Sequence, residues 1–108
     1  MKLWIDDIRP APEGYVWCKS VNEAKYTIMV NSYYYQNKMV EDWNNYKIEL
    51  IDIDHDAGEF ASDGGDYIKL LDWFEETYRS YPIHIHSMNP VGVENMRAII
   101  KRNGWVEV

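Results

Sequence analysis

The sequence predicts an α/β fold: one domain over residues 1–108, built on a parallel sheet of five strands in the order 2-1-3-4-5 with helices mainly on one face. The first reason is alternation along the chain, because short apolar runs are separated by segments of helical spacing, the pattern of a parallel sheet with crossover helices. Secondly, three of the runs, MKLWIDDIRP, LIDIDHDAG and IHIHSMNP, end in carboxylates, imidazoles or hydroxyls. Ligands of open parallel sheets bind beyond the carboxyl ends of the strands, at the point where the strand order reverses. Thirdly, Ile83 and Ile85 alternate with His84 and His86, and Val106 and Val108 with Trp105 and Glu107. Strands covered on both faces read instead as continuous apolar runs, so one face here is only half buried.

Strand 1 is Leu3 to Ile5, stopped by Asp6 and by the turn chemistry of RPAPEG. Strand 2 is Tyr15 to Lys19. SVNE then forms a capping box, with Ser20 accepting from the first-turn amides and Glu23 reaching back, ahead of a helix through about Tyr35. QNKMVEDWNNYK reads as a helix extension plus a loop. Strand 3 runs from Ile48 to Ile53 and ends at Asp54, followed by a loop, HDAGEFASDGGD, and a helix from Tyr67 to about Arg79 whose apolar residues fall on one face. Ile83 to His86 give strand 4. A helix from Val91 to Arg102 follows Pro90 and stops at Asn103-Gly104, before a fifth strand, Trp105 to Val108. Right-handed crossovers leave few ways to join these elements, and the flavodoxin-like order is the one adopted. The connection DDIRPAPEG is too short and proline-rich for a helix, and no helix follows strand 5; both omissions strip the same face.

At 108 residues the chain is long enough for one real core and too short for two. No apolar run reaches the ~18 to 20 residues that span a bilayer, and a lone Cys18 forms no internal disulfide, so a cytoplasmic protein without membrane partners is expected. The net charge of -7 disfavours polymeric nucleic acid, which would be repelled at long range. A small anion remains admissible where a metal or local cations offset the carboxylates.

Asp6, Asp7 and Asp54 converge at the ends of strands 1 and 3, and their hard oxygens suit a divalent cation, magnesium or manganese; alternatively one acid caps the turn and another is solvated. His55 stands between Asp54 and Asp56, whose charges favour imidazolium and keep it ready as an acid. His84 and His86 point to one sheet face, with His86 nearer the site end. Ser87 and Asn89 either help a helix N-terminus bind an anion or simply cap it. Arg9 either clamps a phosphate or pairs with a nearby acid, and Asp52 reads as structural. Trp4 and Trp105 would add aromatic surface to the open face, which would then suit a ligand or a homodimer contact.

Asp6-Asp7 after strand 1, Asp54 ending strand 3 and Ser87 ending strand 4 resemble a response-regulator receiver domain. Receivers also place a lysine after strand 5, which this sequence lacks through Val108, and that argues against a phosphorylation switch at Asp54. A fuller resemblance, from Lys2 to about Gly104 through LWIDDIRPAPEGYVW, DIDHD and HSMNPVGVENM, is to cyclic-phosphate-processing receiver-like domains. That resemblance implies a phosphoesterase-like hydrolase acting on a small cyclic phosphate. Asp6, Asp7 and Asp54 would place the metal, His55 and His86 would move protons, and Arg9, Asp56, Ser87 and Asn89 would hold the substrate. The alternatives are a metal-free enzyme using the two histidines, and a non-catalytic nucleotide-binding, signalling or interaction module.

Overall fold

The computed structural model describes residues 1–37 and 47–108. Most of QNKMVEDWNNYK therefore lies outside the described residues. Four parallel strands, β1 (Lys2–Ile5), β2 (Tyr15–Cys18), β3 (Leu50–Ile53) and β4 (Ile83–Ile85), form a sheet in the order β2-β1-β3-β4. Among the described residues three α-helices connect or follow them: α1 (Val21–Gln36), α2 (Ile68–Glu76) and α3 (Pro90–Asn103). No described helix is long and apolar enough to cross a membrane.

The expected fifth strand is a correction. Only one parallel bridge forms, Ile83 with Glu107, through Ile83 N–H to Val106 O (2.9 Å) and Val108 N–H to Ile83 O (2.8 Å). A continued ladder would take the Val108 oxygen to the Ile85 amide, but that oxygen lies 2.8 Å from His84 Nδ1. Trp105 also departs from the expected alternation. Its amide bonds Ile100 O (3.0 Å) while Gly104, left-handed at φ 68°, bonds Lys101 O (3.2 Å), which is the paired closure of a helix C-terminus. In that closure the residue after the glycine packs back on the helix, and Trp105 lies against the core with its ring edge-on to Phe74.

Register explains how the sheet has two different faces. Leu3, Ile5, Ile51, Ile53 and Ile83 are fully buried against Val21, Ala24 and Ile28 of α1, Leu70, Leu71 and Phe74 of α2 and Met96, Ile99 and Ile100 of α3, in one core. Truncating one of these isoleucines to alanine would cost about 2–5 kcal/mol. The residues between them point the other way, and Trp17, Trp4, Asp52 and His84 stand opposite one another in a row across β2, β1, β3 and β4. His84 is exposed, while Trp4 and Trp17 are half-buried. The fold is thus two layers, with one sheet face bare of described helices.

Capping fixes the helices that frame the strand ends. Ser20 Oγ accepts from the Glu23 amide (3.0 Å), as the sequence suggests, and donates to Asp63 (2.6 Å), tying α1 to the loop after β3. Asn89 caps α3, its Oδ1 accepting from Gly92 N–H (3.0 Å), with Pro90 in the first turn where a missing amide hydrogen costs nothing.

Candidate functional site

One rung beyond the row on the open face stand Asp6, Asp54 and His86. The ladder continues into this rung through Asp6 N–H to Cys18 O (3.2 Å), Asp54 N–H to Ile5 O (2.9 Å) and His86 N–H to Ile53 O (2.9 Å). Side-chain alternation then brings all three groups to one side, with one ligand atom of each within 4.8 Å of the others, a spacing that could hold a metal ion.

His86 is held on every side. Its Nδ1 lies 2.7 Å from Asp52 Oδ1, its Nε2 lies 2.9 Å from Asp6 Oδ2, and its ring stacks on Trp4 at 3.9 Å and 3°. An ionised carboxylate only accepts, so two such partners require a proton on both nitrogens, or else a proton on one of the acids. Asp52, read from sequence as structural, is the anchor of this arrangement. Its position two residues before Asp54 was the available signal, since both then fall on the face shared by Trp4, Asp6, His84 and His86.

Asp6 is almost fully buried, with 1% of its side chain exposed. Burial opposes its ionisation, but amides from Ile8 (2.9 Å) and Arg9 (2.8 Å), His86 and the Arg9 charge outweigh it and hold the carboxyl below its ordinary range. Arg9 spans the rung, with Nε 3.0 Å from Asp6 Oδ2 and Nη2 3.2 Å from both Asp54 Oδ2 and His86 O. It therefore pairs with acids, while Nη1 makes no hydrogen bond within the described residues. The loop itself is pinned by two indoles, Trp4 Nε1 to Arg9 O (2.8 Å) and Trp17 Nε1 to Asp6 O (2.7 Å). Two of the open-face aromatics thus support the Asp6–Arg9 loop.

Asp7 differs from its neighbour. Burial and the charges of Asp6, Asp54 and Asp56 push its carboxyl up, relieved only in part by its own amide. Gly58, left-handed at φ 55°, passes so close that a Cβ there would strike the Asp7 carboxylate. Tyr67, an apolar helix position by sequence spacing, is buried with its hydroxyl donating to Lys19 O (2.7 Å). Burial and then the charges of Asp7, Asp6 and Asp54 push that phenol up.

His55 lies to the other side of Asp54. Asp54 Oδ1 accepts from the His55 amide (2.7 Å), and the imidazole Nδ1 meets Asp56 Oδ1 at 2.9 Å and Asn89 Nδ2 at 3.4 Å. Nε2 has no hydrogen-bond partner among the described residues. Asn89 Nδ2 reaches both Asp56 oxygens (3.5 and 3.4 Å), and Ser87 Oγ accepts from the Asn89 amide (3.1 Å). Asn89 and Ser87 thus perform the local capping work, and Asn89 also links α3 to the Asp56–His55 pair. All nine residues singled out from the sequence gather at the carboxyl ends of β1, β3 and β4, whereas His84 sits one rung away.

A histidine with one nitrogen oriented by a carboxylate and the other open has the form of an acid/base group, and a guanidinium with a spare N–H edge can meet a phosphate oxygen. A family model described as the cyclic-phosphate processing receiver domain matches residues 1–102. No curated protein and no solved structure matches the chain.

Proposed function

Because the chain belongs to the cyclic-phosphate processing receiver family, we propose that it is a hydrolase opening a cyclic phosphodiester of a nucleotide or nucleotide-derived compound. The observation that carries this reading is the open Nε2 of His55, oriented through Nδ1 by Asp56, beside the Asp6–Asp54–His86 rung. Hydrolysis adds water across one P–O bond. His55 takes the proton of the attacking water at Nε2, and His86 returns a proton to the departing oxygen from its own Nε2 once that nitrogen leaves Asp6 Oδ2. Arg9 Nη1 and the second N–H of the Asn89 side-chain amide meet the phosphoryl oxygens, while Ser87 and Asp56 hold Asn89 in place.

A divalent ion fits this donor set in chemistry and charge. Carboxylate oxygens suit magnesium or manganese, and Asp6 and Asp54 each offer one within 4.8 Å of the other and of a His86 nitrogen. Asp6 and Asp54 would hold it, beside His86, whereas the expected third acid, Asp7, falls outside this cluster and would reach the ion only through water. When bound it would polarise a phosphoryl oxygen or activate water. Asp6 already accepts four N–H donors, two of them, from Arg9 Nε and His86 Nε2, on Oδ2, so an ion on that oxygen must displace one of the two.

Incubation with 2',3'- and 3',5'-cyclic nucleotides, with magnesium, manganese or EDTA, tests the reading by release of the ring-opened monoester. Turnover is expected, and His55→Ala should lower kcat by about 10²- to 10⁴-fold. Tight binding without turnover would instead support a non-catalytic nucleotide-binding module, and no interaction with any cyclic phosphate would end both.

A further inference from the structure

Gly92 stands third in α3, buried and in ordinary right-handed conformation, since it is absent from the residues of positive φ. Nothing in its backbone asks for glycine. Within a helix glycine is worse than alanine, because it gives up more conformational freedom on folding. Nor does the cap ask for it, because the Gly92 amide that Asn89 Oδ1 accepts would be supplied by any residue but proline. The environment supplies the reason. A Cβ at Gly92 would fall 2.5 Å from His55 Cδ2 and 2.8 Å from Nδ1, closer still to Cγ, well inside contact distance. The obstacle is the body of a ring, not the far end of a flexible chain, and the ring is fixed at Nδ1 by Asp56 and flanked by Asn89 Nδ2.

We propose that Gly92 is the positioning residue for His55, the missing side chain leaving a seat on the first turn of α3 that the imidazole fills. The seat and the Asp56 carboxylate, itself held by Asn89 Nδ2, then fix the ring, so that Nε2 is the nitrogen left for chemistry. The same helix turn that caps itself with Asn89 thereby sets the direction of the acid/base group. The catalytic consequence rests on the hydrolase reading, whereas the seat itself does not.

The test is a double-mutant cycle of Gly92→Ala and His55→Ala in the full chain, read by thermal unfolding and by long-range ¹H–¹⁵N spectra of the imidazoles. In the parent background Gly92→Ala should lower Tm and shift the His55 ring resonances while leaving those of His86 in place. In the His55→Ala background the same substitution should leave Tm unchanged or raise it, because the obstructing ring is gone and alanine is the better helix former. Should Gly92→Ala alone fail to fold, recovery of folding in the double variant carries the same meaning. An equal fall of Tm in both backgrounds, or unmoved His55 resonances, would overturn the seat. Where the parent turns over a cyclic phosphate, Gly92→Ala should cut kcat by roughly 10²-fold, the scale of a displacement of about 1 Å, with KM little changed. A parent without turnover would count against the hydrolase reading while leaving the coupling in Tm to decide the seat.

Discussion

His86 and His55 occupy neighbouring strand ends and are about equally enclosed, with 10% and 15% of their side chains exposed, yet they are built for different work. His86 has both nitrogens against buried carboxylates and a face against Trp4. His55 has one nitrogen against Asp56, itself 62% exposed, and the other open. Burial does not distinguish them; the number of committed nitrogens does. The first arrangement stiffens a site, and the second leaves a valence for a reacting atom.

Stability is the sharpest way to break this comparison. Removing the imidazole in His86→Ala leaves Asp52 and Asp6 facing a cavity with one donor fewer each, and breaking a buried ion pair in this way costs about 3–5 kcal/mol. His55→Ala loses a pair with an exposed acid, worth at most about 1 kcal/mol, and the packing of its ring on the first turn of α3, but leaves no buried acid without its donor. Denaturant titration should therefore show a large fall in the midpoint for His86→Ala and a small one for His55→Ala. Similar falls would mean that both histidines are structural supports.

Cation binding gives the next largest effect, and it divides the rung from its neighbour Asp7. Arg9 and a divalent ion compete for Asp6 and Asp54, so calorimetry with manganese should show weaker binding in Asp54→Asn and tighter binding in Arg9→Ala. Unchanged binding in Asp54→Asn would remove that acid from the ion's ligands. Weaker binding in Arg9→Ala would show that the guanidinium assembles the acids rather than blocking them.

Much of this was legible because parallel strands obey a two-residue period. Once β1, β3 and β4 are located, the parity of Trp4 and Asp6, Asp52 and Asp54, and His84 and His86 puts them on one face, and the short, proline-rich connection from β1 to β2 leaves no helix there to cover it. What the pattern does not carry is contact across strands. Asp52 reads as structural, and the spacing that puts it on the face of Asp54 does not by itself name its partner, His86, 34 residues away on another strand. Trp105 was misplaced for a different reason: the closure of α3 at Gly104 turns the following residue onto the core, and the alternation expected of a strand starts one residue too early. Gly92 lay in a quoted motif, but only the position of the His55 ring gives it a role.

The smallest expected effect concerns Asp7, and it sharpens the contrast between committed and uncommitted groups within one dipeptide. Asp6 spends its charge on four N–H donors, whereas Asp7 is pushed up by burial and by Asp6, Asp54 and Asp56. A carboxyl raised in the folded protein is ionised at a cost there that the unfolded chain does not bear, so at neutral pH Asp7 subtracts from stability. That penalty shrinks as pH falls through the folded value and is gone below the unfolded value, near 3.8. Asp7→Asn keeps the shape and removes the charge. In EDTA its Tm should therefore exceed that of the parent at pH 7, with the gap closing on acidification. Manganese should narrow or reverse the gap, because an ion that uses Asp7 stabilises the parent more than the variant. A lower Tm for Asp7→Asn at neutral pH in EDTA would show that the carboxylate is satisfied without an ion, and Asp7 would then belong with Asp6 among the groups that support the site.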